Sequence, residues 1–178
     1  VAGKDISVTA TAGEGYKFVG WYDSTENKVT TGLSSDGKTI SYTTTGNATY
    51  IARFEKTVTQ TYKRQVKNGE TWNDTDDDTV GTLSRYTHTT EYGSKTGATA
   101  TAGTGYEFVG WYKVETTGVA ETARTTGTTL SYTATEDATY IARFQKVKVT
   151  QTFNRQIEVD GIWTATTEDE IGTLTHYI

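Results

Sequence analysis

Aromatic residues are the side chains of this chain best suited to bind a ligand, because an aromatic face stacks on sugar rings and on cations. Two of the four tryptophans stand in an identical Gly-Trp-Tyr tripeptide, 90 positions apart (111 − 21). For both, packing in the interior is favoured over ligand stacking, because a large ring contributes much apolar burial to a small domain. The aromatic candidates for packing or stacking are Trp21, Tyr22, Trp72, Trp111, Tyr112 and Trp163.

Two arginines, Arg53 and Arg143, stand at equivalent places in strand-like segments that read ATYIARF in both cases. In such an alternating pattern, each arginine falls on the face opposite to the neighbouring tyrosine and phenylalanine. We expect each guanidinium to contact Trp21 or Trp111 through a cation–π interaction. A structural pairing of this kind is favoured over an arginine that grips a ligand.

The remaining polar residues give little support for metal binding or for catalysis. The acidic run from Asp74 to Asp78 has enough oxygens to suggest calcium, but its counterpart at residues 165–169 has fewer carboxylates, which favours a solvated acidic loop. The two histidines, His88 and His176, are not equivalent, and neither belongs to a nucleophile–histidine–carboxylate set. The sequence predicts a non-catalytic protein with no metal and no cofactor.

The composition argues against several other classes of function. A net charge of −5 does not suit nonspecific nucleic-acid binding, since a phosphate-binding surface needs clustered lysines and arginines. No apolar run approaches the roughly 18 to 20 residues that span a bilayer, so no membrane insertion is expected in this segment. The chain has no cysteine and therefore no disulfide or thiolate metal site. Abundant threonine and glycine favour strands and tight turns over helices.

The chain repeats itself with a period of 90 residues (99 − 9). TATAGEGYKFVGWY at residues 9–22 returns as TATAGTGYEFVGWY at residues 99–112. The register then slips by one residue, so that VTQTYKRQV at residues 58–66 returns as VTQTFNRQI at residues 149–157. Repetition of this kind indicates tandem structural units and builds length or multivalency more readily than a single active site.

Strand-like alternation runs through both copies. It predicts one antiparallel hairpin from residues 6–12 and 16–22, and a second from residues 39–45 and 48–55. Gly20 and its counterpart Gly110 are predicted to mark a bulge or a close approach.

The second half of each period predicts a further hairpin and a last strand. Residues 57–67 form a long strand that ends in an Asn-Gly turn, and Asp160-Gly161 is the counterpart of that turn. Residues 80–86 and their counterpart, residues 171–177, are predicted to be a strand that follows an acidic loop.

The combination GYKFVGWY, followed about thirty positions later by ATYIARF, resembles the divergent internalin-B-type (Listeria-Bacteroides-type) repeats of bacterial surface proteins. The resemblance covers both copies and implies small, mostly β units, strung along cell-surface proteins as spacers or adhesive stalks. The fold expected is therefore all-β, with tandem small antiparallel units that are β-grasp-like or sandwich-like and have little or no helix. The implied location is extracellular, at the cell surface or secreted.

The phase of the repeat is open between two alternatives. In the phase that the family resemblance implies, residues 57–146 form a complete unit (the central segment). Residues 1–56 are then the second half of a unit (the leading segment), and residues 147–178 are the first half of another (the trailing segment). In the alternative phase, the units are residues 1–90 and 91–178.

Three functions follow from these patterns. The first is a non-catalytic stalk, spacer or adhesin module whose partners are neighbouring repeats and, beyond them, a host or environmental glycan or protein. The second is a filament subunit in which the trailing segment of one chain completes the leading segment of the next by strand addition. The third is a carbohydrate-binding module with stacking platforms at Trp72, Trp163 and the repeated tyrosines.

Overall fold

The computed structural model describes residues 2–168 and 172–174. Those residues form strands and turns and no helix, which confirms the all-β prediction. The strands are β1 (Asp5–Thr9), β2 (Tyr16–Asp23), β3 (Thr39–Thr43), β4 (Tyr50–Asn68), β5 (Thr71–Asp74), β6 (Gly81–Leu83), β7 (Thr87–Glu91), β8 (Lys95–Ala102), β9 (Tyr106–Glu115), β10 (Gly118–Val119), β11 (Thr129–Thr133), β12 (Ala138–Lys146), β13 (Arg155–Val159) and β14 (Ile162–Thr166). The chain divides into two compact units, residues 1–146 and residues 147–178, which are described separately below.

In the leading segment, strands that follow each other in the sequence do not pair with each other. β1 pairs with β3, and β2 pairs with the first part of β4, both antiparallel. The two predicted hairpins, β1 with β2 and β3 with β4, are therefore wrong. Alternation of apolar and polar residues identifies a strand with one buried face, but it does not say which strand lies beside it.

The second copy repeats this pairing residue for residue. β8 pairs with β11 as β1 does with β3, and β9 pairs with β12 as β2 does with β4. Both β2 and β9 carry one extra residue, Val19 or Val109, between the phenylalanine and the glycine of the motif. This is the bulge that Gly20 and Gly110 were predicted to mark.

β4 is one continuous strand of 19 residues that belongs to both the leading and the central segment. Its first part, up to Lys56, pairs with β2, and its second part pairs with β5 and β7. The other edge of the second part pairs with β12 in parallel, from Gln60 opposite Ala138 to Val66 opposite Phe144. The antiparallel prediction therefore holds for every other strand pair of the described residues, and this one departs from it.

The main core lies wholly within the central segment. Its sheets are β10-β9-β12-β4, extended by β5 and β7, and the three-stranded sheet β11-β8-β6. Thirteen buried residues fill the core: Val58, Tyr62, Val80, Leu83, Ala98, Ala100, Trp111, Leu130, Tyr132, Ala134, Tyr140, Ala142 and Phe144. The leading segment buries a smaller cluster of three, Ala10, Trp21 and Ile40.

The trailing segment contains one hairpin, β13 with β14. Its two-residue loop is the predicted Asp160-Gly161 turn, in which both residues have positive φ, 52° and 82°. That conformation matches the right-handed twist of the two strands and suits aspartate and glycine. The predicted Asn68-Gly69 turn also closes a hairpin, β4 with β5, but its loop is Gly69-Glu70, because Asn68 pairs with Thr71.

The last predicted strand of the period is shorter than expected. Within residues 80–86 only β6 is a strand, and the chain then bends before β7 begins at Thr87. The counterpart of this prediction, residues 171–177, lies largely outside the described residues.

Candidate functional site

The tryptophans of the Gly-Trp-Tyr tripeptides are interior residues. Trp21 is 6% exposed and Trp111 is fully buried. Each indole N–H donates to a backbone carbonyl 3.0 Å away, that of Lys38 for Trp21 and that of Thr128 for Trp111. The polar edge of each ring is thus satisfied by the loop that precedes β3 or β11, and neither face is open to a ligand.

The bulges change which residues share a face in β2 and β9. Strict alternation puts Phe18 and Trp21 on opposite faces, but the extra Val19 brings them to the same face, with ring centres 5.9 Å apart. Phe108 and Trp111 repeat the contact at 6.0 Å. The tyrosine that follows each tryptophan therefore lies on the outer face.

The two arginines contact these outer tyrosines. Arg53 lies 4.1 Å from the ring centre of Tyr22, and Arg143 lies 4.2 Å from that of Tyr112. The expected contact with Trp21 or Trp111 is wrong, because each arginine is paired opposite the motif glycine, on the face away from the indole. The cation–π character of the interaction was predicted, but its partner was not.

Arg143 is also covered by a second aromatic ring. Its guanidinium lies 4.8 Å from the ring centre of Trp72, which is half-buried on β5. Its Nε donates to the side-chain oxygen of Gln65 at 3.0 Å. We call Gln65, Trp72, Tyr112 and Arg143 the arginine cluster. It joins β4 and β5 to β9 and β12, so that Trp72 has a protein partner where a sugar would otherwise stack.

Trp163, the counterpart of Trp72, is not covered in this way by any residue that the structure describes. It lies on β14 and is 63% exposed. Val149 and Phe153 of the same segment are 78% and 69% exposed. Among the four tryptophans, Trp163 alone offers most of its ring to solvent.

The acidic run is occupied by protein contacts. Asp78 accepts a 2.7 Å hydrogen bond from the buried Arg64, and Asp74 accepts one from Gln65 at 2.9 Å. Asp77 accepts from the hydroxyl and the backbone N–H of Thr79, and the hydroxyl contact is the main reason that the pKa of Asp77 lies below its ordinary value. Within the described residues, no three histidine or acidic side chains converge as a metal site would require.

His88 is half-buried on β7, paired across the ladder from Gln60 of β4. His176 lies outside the described residues.

A buried polar network crosses the main core. The Tyr132 hydroxyl donates to the side-chain oxygen of Gln60 at 2.8 Å, and the Tyr62 hydroxyl lies 3.0 Å from that of Tyr132. The amide of Gln60 donates in turn to the Glu136 carbonyl at 2.7 Å. Burial is the main cause that raises the pKa of Tyr132 above its ordinary value. The network therefore fixes the register of β4 against the β11–β12 connection.

Sequence reasoning missed Gln60, Arg64 and Gln65, although a signal was present for the first two. All three belong to VTQTYKRQV, and the same residue types return in VTQTFNRQI. Gln60 and Arg64 recur on the apolar face of the strand, where polar residues indicate buried, hydrogen-bonded groups, whereas Gln65 lies on the opposite, polar face. In the trailing segment, Arg155 donates to the carbonyls of Thr167, Glu168 and Gly172, much as Arg64 donates to those of Asp77 and Gly81.

These features define a class of protein: an all-β chain in which one pattern of strands and side-chain contacts occurs twice. A family model described as the divergent InlB B-repeat domain matches residues 1–58 and 74–148. This match covers more than half of the chain, and the chain belongs to that family, as the motifs indicated. Searches of curated proteins and of solved structures each found no match. No helix in the described part of the chain is long and apolar enough to span a membrane.

Proposed function

We propose that this chain is a non-catalytic structural repeat of a bacterial cell-surface protein, located outside the cell, and that it acts as a stalk or spacer that bears tension. The family to which it belongs supports the surface location. The observation that carries the mechanical role is the parallel pairing of β4 with β12, the first and last strands of the central segment.

Tension along the chain enters the central segment at the start of its part of β4 and leaves it at the end of β12. Because the two strands are parallel neighbours, pulling on those two points slides one strand along the other. Seven residue pairs, from Gln60 opposite Ala138 to Val66 opposite Phe144, then resist together. An antiparallel pair pulled at adjacent ends would instead open one hydrogen bond after another.

Two further contacts support this load path. The arginine cluster ties β5 to β12 beside the far end of the ladder, where Gln65 and Arg143 are directly opposite each other. On the other side, β4 runs without interruption into the leading segment. Force therefore passes from the leading segment to the central segment through a strand and not through a loose linker.

The choice between the two repeat phases is also part of this proposal. The main core lies inside residues 57–146, and the smaller cluster lies inside residues 1–56. We take residues 57–146 as the complete unit, flanked by two partial ones, because a division at residue 90 would separate β4 from β12.

Single-molecule force spectroscopy tests the proposal with two attachment geometries in the whole chain, which has no native cysteine. Attachment at Thr57→Cys and Lys146→Cys loads the ladder in shear, and we expect one cooperative rupture that releases about 300 Å of chain, given up to ~3.6 Å per residue. Attachment at Asn68→Cys and Lys146→Cys loads the same ladder from one end. We expect a rupture force several-fold lower in this matched control. Equal forces in the two geometries would contradict a tension-bearing role.

A further inference from the structure

The outer edge of β3, the edge away from β1, is closed by the loop that precedes this strand. The Ser41 N–H donates to the carbonyl of Gly32 at 2.7 Å. The Ser34 N–H donates to the carbonyl of Thr39 at 2.9 Å. Leu33, between the two contacts, packs against the smaller core cluster. The leading segment therefore covers this edge with its own chain, as a short antiparallel addition to the sheet.

The counterpart of β3 in the central segment, β11, has no such cover. The loop before it pairs with β9 instead: the Arg124 N–H donates to the carbonyl of Trp111 at 2.7 Å, and β11 begins soon afterwards, at Thr129. The one strand that pairs with β11 in the described part of the chain is β8. The outer edge of β11 is therefore open where that of β3 is closed.

Three residues point their backbone groups out of this open edge. In an antiparallel ladder, alternate residues exchange hydrogen bonds with the neighbouring strand. The bonds just beyond the two ends of β11, made by the Ala134 N–H and the Thr128 carbonyl, assign the even-numbered residues to β8. The N–H and C=O groups of Thr129, Ser131 and Thr133 therefore point away from β8, and all three residues are exposed.

A neighbouring repeat does not close this edge. The central segment follows the leading segment directly, and none of its described strands pairs with β3. The leading segment precedes the central one, and none of its described strands pairs with β11. The opening is therefore a property of residues 113–128, the loop in which the two copies differ most.

β11 also lacks the features that normally keep an edge strand from pairing with another chain. Such strands are usually very short, or carry a charge or a proline. In the central segment, β6 and β10 have three and two residues, and β5 and β7 carry the charged Asp74 and Glu91. β11 has five residues, Thr-Leu-Ser-Tyr-Thr, with no charge and no proline. It is the unprotected edge of this segment among the described strands.

We propose that β11 of one molecule pairs with β11 of a second copy, antiparallel and about a two-fold axis at Ser131, so that the two three-stranded sheets become one. In this register the two Ser131 residues face each other, and Thr129 faces Thr133 of the second copy. Every outward N–H and C=O group of these three residues then has a partner. The antiparallel direction is the one in which residues 32–34 close β3.

A second copy fits this edge because the strand is complementary to itself. The facing residues are serine and threonine on the outer face, and Leu130 opposite Tyr132 on the inner face, so no like charges meet. Facing hydroxyl residues already occur across ladders in this chain, as in Ser7 and Ser41, whose hydroxyl oxygens are 3.0 Å apart. A two-fold contact closes after two molecules and gives a dimer. The contact is small, so it strengthens where several copies are held close together.

Charge substitution at the axis tests the register in the whole chain. Ser131→Lys and Ser131→Glu each place like charges opposite each other, and each should weaken dimerisation by at least about tenfold. An equal mixture of the two variants should restore the dimer. Ser41→Lys, at the equivalent position of the closed edge, is the matched control and should leave the dimer unchanged. Sedimentation velocity measures the four samples, and thermal unfolding checks that each variant is folded.

The proposal is overturned if Ser131→Lys and Ser41→Lys act alike, or if the mixture of oppositely charged variants stays monomeric. It is also overturned if the unaltered chain sediments as a monomer at the highest soluble concentration, which would leave the edge to a strand of a different protein. The rupture force of the β4–β12 ladder is measured without β11 as a partner. This association and the proposed mechanical role can therefore fail independently.

Cysteine cross-linking gives a second readout, because the chain has no native cysteine. Facing residues of a hydrogen-bonded antiparallel pair have Cα atoms about 5.5 Å apart, which is within the reach of a disulfide. Under mild oxidation, Ser131→Cys should give a covalent dimer, whereas Ser41→Cys should give little. Equal yields from the two variants would contradict pairing through β11.

Discussion

The guanidinium of Arg143 lies 4.8 Å from the ring centre of Trp72, and this contact joins β12 to β5 across the central segment. The same arginine also contacts Tyr112 at 4.2 Å, so that it lies between two aromatic rings. Trp72 and its counterpart Trp163 occupy equivalent hairpins. The chain therefore contains one tryptophan that an arginine covers and one, at the equivalent position, that is exposed to solvent.

Replacing Trp72 with alanine should destabilise the central segment by about 1–2 kcal/mol, because a partly desolvated cation–π contact and apolar cover are lost. Trp163→Ala is the matched control, and in the monomer it should change the free energy of unfolding by less than about 0.5 kcal/mol, as is usual at exposed positions. Urea denaturation of both variants at low protein concentration measures the difference. Similar losses in the two would show that the arginine contact contributes nothing.

Residues 57–146 should fold cooperatively as an isolated fragment, because they contain the whole main core and both strands of the parallel ladder. Residues 1–90 should not, because they contain β4 without β12 and leave Val58 and Tyr62 uncovered. Circular dichroism during thermal unfolding distinguishes the two outcomes. Cooperative unfolding of the fragment 1–90, with an unfolded fragment 57–146, would favour the alternative phase.

Acid should weaken the chain through the ion pair of Lys113 and Glu136, whose Nζ and carboxylate oxygen are 2.8 Å apart. The hydrogen bond from Lys113 lowers the pKa of Glu136 below its ordinary value of 4.5. The stability that this ion pair contributes is therefore complete above pH 4.5, the ordinary pKa of the carboxyl group. It is lost as the pH falls through the lower pKa that Glu136 has in the folded state. Glu136→Gln should lie below the parent in stability at pH 7 and converge with it in acid.

Glu14→Gln, in an exposed turn, is the control for loss of a carboxylate and should follow the parent at every pH. A difference between Glu136→Gln and the parent that stays constant into acid would contradict the ion-pair explanation. Denaturation midpoints measured over this pH range decide the matter.

Alkali should weaken the chain through Tyr132. Burial is the main cause that raises the pKa of Tyr132 above the ordinary value of 10.0, so the folded state keeps the proton more tightly than the unfolded state. The stability that this group contributes is complete below that ordinary value and declines as the pH rises beyond it. Tyr132→Phe should cost about 1–2 kcal/mol at neutral pH, since Gln60 loses a donor, and its stability should fall less steeply above pH 10. Parallel alkaline slopes for variant and parent would count against this account.

The sequence was enough to predict most of the strands, the Asp160-Gly161 turn and the bulges, because alternation and turn residues report local geometry. The first turn lies one residue later than predicted, and only residues 81–83 of the predicted strand 80–86 form a strand. Strand partners were harder to predict. β1 lies beside β3 and not beside β2, and β4 lies beside β12, whose paired residues are 78 positions away (138 − 60). No local pattern encodes such distant pairing.

In the candidate site too, the sequence predicted features that depend on local pattern and missed those that depend on distant strand pairing. The importance of Arg53 and Arg143 was visible from their repetition, but their ring partners depended on a one-residue bulge that reverses the faces of the strand. Gln65 was passed over because its role exists only once β12 lies beside β4. The residues that act through long-range contacts are the ones that alternation alone does not reveal.

Hydrogen exchange in the whole chain is the most direct test that one strand pattern is completed in the central segment and left open in the trailing one. At low protein concentration, we predict that the amides of residues 58–66 exchange only through global unfolding, whereas those of residues 149–154 exchange almost as fast as an unfolded chain. Equal protection of the two stretches under those conditions would contradict the account.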